Sequence, residues 1–184
     1  MSEVLFINSD YIKRYTGLNG SVEEGYIFPY TLTAQDKHIQ LYLGTSLYEK
    51  LKTEVANATL TGNYKTLMDD YVLKSLMWWA MVELLPHLYV KVDNGGLVIK
   101  TAQNTSPISR NDLQMQIDSA RNNALFYSGL LEDYLCENGS LFPEYSNNTG
   151  AQISPRQPQK YGSLRISHGK KSNQTQTLAR WTKS

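Results

Sequence analysis

The chain has 184 residues, of which 41% are hydrophobic and 19% are charged, and its formal net charge is +1 at pH 7. This length predicts one domain with a single core. The longest apolar stretch, residues 76–82, is far shorter than the ~18–20 residues that span a bilayer, which excludes a transmembrane helix. The only cysteine, Cys136, excludes an intrachain disulfide, and the N-terminal segment lacks the basic region of a signal peptide. We therefore expect no membrane contact and synthesis in the cytoplasm.

The charges are divided unevenly along the sequence. All seventeen acidic residues lie at or before Glu144, so residues 1–145 carry a net charge of −6 and residues 146–184 carry +7. Such asymmetry suggests that one segment contacts another molecule. We predict a helical body over residues 1–145 and an extended basic docking arm over residues 146–184.

The predicted arm is rich in Asn, Ser, Gln, Thr, Gly and Pro, so it cannot bury enough apolar surface to fold alone. Residues 161–167 alternate like a short strand that could extend a partner's sheet. The alternative is that they are ordinary linker residues, and that the aromatic near the end of the chain is there by chance. The residues that we predict to contact a partner are Arg156, Tyr161, Leu164, Arg165, Ile166 and Trp181.

Short helices are predicted in the first half of the body. Residues 19–29 contain Gly and Pro and are expected to form a loop. Residues 33–36 match an acidic variant of the capping box and predict the start of a helix, which Gly44 ends. Thr45 then caps another helix. Its buried stripe is Leu47, Leu51 and Val55.

Two long helices are predicted in the second half. The first begins near Tyr64 and is expected to kink or break at Pro86. A short strand is possible over residues 97–99, and residues 101–107 are expected to form a loop. The second long helix is capped by Ser109 and ends at Asn138. Its seam is Leu113, Ile117, Ala120, Ala124, Tyr127, Leu131 and Tyr134.

These patterns predict a mainly α fold. The expected architecture is a small bundle with two long antiparallel helices, short helices at one end and an extended C-terminal arm. Trp78 and Trp79 lie in the most apolar part of the first long helix, where core packing is the expected role. Because adjacent positions are about 100° apart on a helix, we also consider that Trp79 faces the core and Trp78 a subunit interface.

No motif of enzyme chemistry is present. The sequence has no Gly-rich phosphate loop before a helix, no Gly-x-Ser-x-Gly elbow and no His-Glu-x-x-His pair. The three histidines, His38, His87 and His168, are isolated in sequence. We therefore predict no enzyme activity, no catalytic residues, no cofactor and no metal, leaving open a site that only the fold assembles.

The body resembles head-to-tail connector proteins of tailed bacteriophages, in particular the branch found in phages of Bacteroidetes-like hosts, including crAss-like phages. The resemblance covers roughly residues 5–145 and names no catalytic residue. It rests on residues 35–51, the helix start at residues 67–72, the long central helix that follows, the capped helix of residues 109–138 and the closing Leu-Phe-Pro-Glu-Tyr at residues 141–145.

This resemblance implies a structural virion protein. Such adaptors form a ring of twelve copies beneath the portal, in the neck of the virion, and an extended C-terminal arm clamps onto the portal or an adjoining ring. Genomic DNA passes through the lumen without sequence-specific binding. The alternative is a nucleic-acid-binding protein in which the seven cations of the arm contact phosphates and Tyr161 or Trp181 stacks on bases.

Overall fold

The part of the chain that the structure describes is mainly helical, as predicted. The computed structural model describes residues 3–18, 22–93, 96–99, 109–147 and 153–156. The elements in chain order are α1 (Ser9–Tyr15), α2 (Glu24–Ala34), α3 (Gln40–Ala56), α4 (Gly62–Leu67), α5 (Leu73–Tyr89), β1 (Val90–Asp93), β2 (Gly96–Ile99), α6 (Arg110–Glu137) and α7 (Pro143–Ser146).

A π-helical turn, Gln35–Ile39, joins α2 and α3 into one helical path. The predicted loop over residues 19–29 is wrong in its second half, because α2 begins at Glu24 and contains Pro29. The apolar side of α2 packs against α5, and this burial outweighs the local preference for a loop. The predicted capping box is also wrong, since Thr33 lies within α2 and its hydroxyl donates to the carbonyl of Pro29.

A second π-helical turn, Met68–Val72, joins α4 and α5. The predicted break at Pro86 is wrong, because α5 continues to Tyr89. Proline removes one donor and crowds the preceding turn, but the end of this helix has support from outside. The hydroxyl of Tyr26, in α2, donates to the carbonyl of His87 at 2.6 Å.

Helix α6 follows its prediction closely. The side chain of Ser109 accepts a hydrogen bond from the Asp112 N–H, and Asn138 is the C-terminal cap. Of the predicted seam, the buried members are Ile117, Ala120, Ala124 and Leu131, and the half-buried members are Leu113, Tyr127 and Tyr134.

Helices α5 and α6 are antiparallel. The Tyr71 ring, one turn before Ser75, stacks on Tyr134 with 4.1 Å between the ring centroids, while the hydroxyls of Ser75 and Ser128 are 2.7 Å apart. Later residues on the first side therefore contact earlier residues of α6, which is the antiparallel arrangement. The Trp79 indole N–H donates to the Ser128 hydroxyl at 2.9 Å, so this buried polar cluster is hydrogen-bonded.

A β-hairpin extends from the end of α5. Strands β1 and β2 pair antiparallel, with Val90 opposite Ile99 and Asp93 opposite Gly96. The predicted strand over residues 97–99 is confirmed, and its partner β1 was not predicted. The loop predicted over residues 101–107 lies outside the described residues.

Gln35 fixes the N-terminal segment against the helices. Its fully buried side chain accepts a hydrogen bond from the Phe6 N–H at 2.8 Å and donates to the carbonyl of Val4 and the hydroxyl of Tyr48. Each polar atom of this buried amide thus has a partner, as buried polar groups require.

Candidate interaction site

Helix α3 is interrupted at Gly44. This residue has φ 73° and ψ 160°, a conformation that is essentially restricted to glycine. In an uninterrupted helix the N–H of Thr45 would donate to the carbonyl of Leu41, four residues earlier. The interruption separates these two groups, so each needs another partner. We name residues 41–45 the notch. The predicted helix end at Gly44 is confirmed as this break.

A distant segment supplies both partners. Residues 153–156, which we name the strap, lie along the notch. The N–H of Thr45 donates to the carbonyl of Ile153 at 3.0 Å, and the N–H of Arg156 donates to the carbonyl of Leu41 at 2.8 Å. The N–H of Ile153 also donates to Oγ1 of Thr45 at 3.1 Å. The strap therefore pairs with both backbone groups that the break has exposed.

Pro155 of the strap lies against Gly44. A Cβ atom at position 44 would lie 2.7 Å from Cδ and 2.8 Å from Cγ of Pro155, closer than real contacts allow. Proline has no N–H, so this part of the strap presents no donor that needs a partner. Glycine is thus required at position 44 both for its backbone conformation and for the space that it leaves.

The side chain of Arg156 reaches two neighbours. Its guanidinium carbon lies 5.8 Å from the centre of the Tyr42 ring, a cation–π distance. Burial raises the pKa of Glu132, in α6, above its ordinary value, and the charge of Arg156 opposes that shift. Of the arm residues predicted to contact a partner, Arg156 alone lies within the described ranges. Those that lie outside them are Tyr161, Leu164, Arg165, Ile166 and Trp181.

Helix α6 also presents an apolar outer face. Phe126 is 62% exposed and Met115 is 68% exposed, and both lie on the side opposite the buried residue Ala124. The large apolar side chains exposed on this helix, which we name the outer face, are Met115, Leu125, Phe126 and Leu130. An exposed group of this kind is a feature of contact surfaces.

The described residues contain neither a metal-binding cluster nor a membrane-spanning helix. They include no group of three or more His, Cys, Asp and Glu side chains that could hold a metal ion. Among the same residues, no helix has the length and apolar character that crossing a membrane requires. A cleft of about 360 Å³ lies between the N-terminal segment and α2, beside Phe6 and Phe28, and its lining includes Glu3 and Glu24.

The chain matches a family of unknown function, DUF6712, over residues 39–155. The chain belongs to this family. No curated protein and no solved structure matches it. The matched DUF6712 region contains the whole notch and extends through Pro155, so the notch and the residue that fills it lie within the same family region.

The two adjacent tryptophans of this DUF6712 protein differ in burial. Trp79 is only 7% exposed and stacks on His38 with 3.8 Å between the ring centroids. Trp78 is half-buried and packs against the core. The expectation that Trp79 faces the core is confirmed, whereas an interface role for Trp78 stays a prediction.

His38 belongs to a partly buried charged group. Its Nε2 lies 2.8 Å from Oε1 of Glu83, and Nζ of Lys37 lies 2.8 Å from the same oxygen. Burial lowers the pKa of His38, although the hydrogen bond with Glu83 opposes this shift. Burial acts to raise the pKa of Glu83, but the hydrogen bonds from Lys37 and His38 outweigh it and lower that pKa.

Sequence reasoning missed the notch as a binding site. Gly44 was interpreted as the end of one helix and Thr45 as the cap of the next, whereas the Thr45 hydroxyl accepts from the strap. Pro155 is not among the arm residues that the sequence predicts to make a contact. A glycine that interrupts an apolar helix and a distant proline are each common, and no sequence signal joins the two.

Proposed function

We propose that this protein is a structural subunit of a head-to-tail connector ring, which joins the portal of a phage head to the tail. The observation that carries this proposal is the outer face of α6. It exposes four large apolar side chains on a body whose net charge is −6. Such a surface is costly to leave in water and favours contact with another protein, including a second copy of the chain.

The position of the outer face fits a helix that packs between two subunits. On its inner side α6 contacts α5 through Ser128, and on its outer side it exposes Met115 and Phe126. Large apolar side chains that are exposed outside a packed inner side favour contact with another protein. The number of copies, twelve, the portal as partner and the location in the virion neck follow from the sequence resemblance.

The strap supports the arm as a docking element. The Arg156 N–H is bonded to α3, so residues 157–184 begin from a defined point on the body. Those residues carry six cations and no acidic residue. A basic segment that starts at a fixed point could engage an acidic neighbour, with charge steering the encounter.

Contact of the arm with DNA is the second candidate function, and the seven arm cations favour it. Neutralised phosphates release counterions, so binding would weaken steeply as salt increases. The charge of −6 on the body opposes DNA lying along it. Duplex binding by the full chain that is tight at low salt and steeply salt-dependent would favour this candidate over a protein partner.

Light scattering coupled to size exclusion, with negative-stain images, tests the ring. The wild-type chain is expected at a multiple of its 20.9 kDa mass, as rings. Phe126→Asp should shift it to the monomer mass, because a charge would be buried at the contact. Tyr15→Asp is the matched control, since Tyr15 is 56% exposed on α1. A wild-type chain that stays monomeric at high concentration would contradict self-assembly.

A further inference from the structure

We infer that the notch in α3 is a peptide-docking site, and that a second copy of the chain supplies its occupant. The occupant is the strap, an extended Ile-Ser-Pro-Arg segment. This inference concerns residues 41–45 and the strap, and it depends on neither the outer face of α6 nor the identity of the portal.

The notch has the features of a built site for an extended peptide. It offers one donor, the Thr45 N–H, and two acceptors, the Leu41 carbonyl and Oγ1 of Thr45. Ile153 and Arg156 meet these groups from the two ends of the strap. Backbone bonds of this kind give affinity, and the side-chain pockets between them give specificity.

Proline is the specificity element. The bare Cα of Gly44 leaves a space that the Pro155 ring occupies, with Cδ only 2.7 Å from where a Cβ would stand. The ring also restricts the segment to an extended backbone before binding, which reduces the entropy lost on docking. The ligand class is therefore an extended peptide that carries a proline with Arg directly after it.

A strap from a second copy would make the same contacts as the chain's own strap. The contacts are backbone hydrogen bonds, the proline ring and the approach of Arg156 to Tyr42, and all of them belong to the strap itself. Exchange of an identical segment between copies needs no new contact, which makes it a low-cost route to association.

Charge favours the second copy, and chain length limits its position. Each body carries −6 and each arm +7, so the arm of one copy is attracted to the body of another. Five residues, 148–152, separate Asn147 from Ile153. A chain of that length can span at most about 20 Å, so the second notch must lie within that distance of Asn147.

A peptide assay tests the docking site. The full chain is prepared with Gly-Ser-Gly-Ser in place of residues 153–156, and a fluorescent peptide of residues 151–158 is added. Binding is expected by fluorescence anisotropy, weakened at least about tenfold by Gly44→Ala in the chain or by Pro155→Gly in the peptide. Phe126→Asp should leave it unchanged, which separates this test from that of the ring. Absence of binding, or binding unaffected by Gly44→Ala, would overturn the site.

Cysteine trapping tests the source of the strap. In a Cys136→Ser background, one chain carries Thr45→Cys and another carries Ile153→Cys. Mixing the two at matched concentration should give a disulfide-linked dimer on a non-reducing gel, which each chain alone does not form. Adding Gly44→Ala to the Thr45→Cys chain should abolish it.

A single chain with both cysteines is the control for geometry. If it closes an intrachain disulfide while the mixture gives no dimer, the strap stays on its own body and exchange is overturned. If neither product forms, the mass of the wild-type chain by light scattering decides. A mass reduced by Gly44→Ala supports exchange, and a mass unaffected by it overturns exchange.

Discussion

The α5–α6 interface and the α3 notch show two different ways to hold helices in place. Between α5 and α6 the contact is made by side chains, such as those of Trp79 and Ser128. At the notch the contact is made by backbone groups that the break at Gly44 exposes. The strap forms hydrogen bonds with these groups. The first contact follows from helical periodicity. The second depends on one residue without a side chain and on a segment far along the sequence.

The difference shows what decides whether a helix is interrupted. Pro86 removes a donor from α5, yet that helix continues to Tyr89. Gly44 removes no donor, yet α3 breaks there because its φ of 73° and ψ of 160° are not helical, and the strap pairs with the separated groups. The backbone conformation that each residue adopts in the fold therefore decides, and residue type alone does not. The following predictions test this comparison, in decreasing order of expected effect.

The largest effect is expected at the α5–α6 interface. Trp79→Ala should lower the free energy of unfolding by about 3–5 kcal/mol, because it opens a cavity in the core and removes the donor to Ser128. Trp78→Ala, at a half-buried position, should cost only about 1–2 kcal/mol. Urea denaturation measures both. Equal losses would contradict the division of the two tryptophans between the core and its edge.

At the notch, Gly44→Ala should lower the free energy of unfolding by about 2–4 kcal/mol. The backbone conformation alone costs an alanine of order 1–3 kcal/mol, and displacement of Pro155 would add about 1 kcal/mol for each lost hydrogen bond. Gly129→Ala is the control, because a Cβ there meets nothing within 4 Å. It should raise stability by up to about 1 kcal/mol. If both substitutions lower the free energy of unfolding equally, position 44 has no greater requirement for glycine than position 129.

Two truncations isolate the strap. A chain that ends at Asn147 lacks the strap but keeps α7, and a chain that ends at Arg156 retains both. Both should keep their helical circular dichroism, because the apolar stripes of α5 and α6 lie before both ends. The shorter chain should unfold more easily by about 1–3 kcal/mol, since the Leu41 carbonyl and the Thr45 N–H lose their partners. If the two chains are equally stable, the strap contributes nothing.

The smallest expected effect is a dependence on pH at His38 and Glu83. Both pKa values are lower in the folded protein than their ordinary values of 6.5 and 4.5, so the unfolded chain binds protons more readily. Stability should therefore fall as the pH drops below about 6.5, and fall further as Glu83 is protonated below 4.5. Urea denaturation between pH 4 and 8 measures this change.

Two variants separate the contributions of His38 and Glu83 to the dependence of stability on pH. His38→Phe keeps a ring for stacking on Trp79 and should flatten the profile near pH 6.5. Glu83→Gln should flatten its more acidic part. A profile that both variants leave unchanged would mean that other groups are responsible.

Much of the α5–α6 pair could be predicted from the sequence. The seam of α6 recurs at helical spacing, and Ser109 and Asn138 provide the local signals for its ends. The same reasoning identified Trp79 as a core residue. These predictions succeed because the forces involved, burial of one face and capping of the ends, act over a few neighbouring residues.

The notch and the beginning of α2 could not be predicted in this way. Pro29 indicates a loop locally, and only packing against α5, more than forty residues away, keeps it in a helix. The π-helical turns Gln35–Ile39 and Met68–Val72 change the helical register, which no repeat in the sequence indicates. The pairing of Thr45 with Ile153 joins residues 108 positions apart. Such contacts depend on the complete fold.

The 108 positions between Thr45 and Ile153 affect the order in which the protein folds. During synthesis the notch leaves the ribosome long before the strap, so α3 must form with its break unoccupied. Contacts between residues 108 positions apart close a long loop, and they are expected to form late in folding. Interactions that are absent from the folding transition state slow unfolding and leave the folding rate almost unchanged. The strap should therefore act mainly on the lifetime of the folded protein.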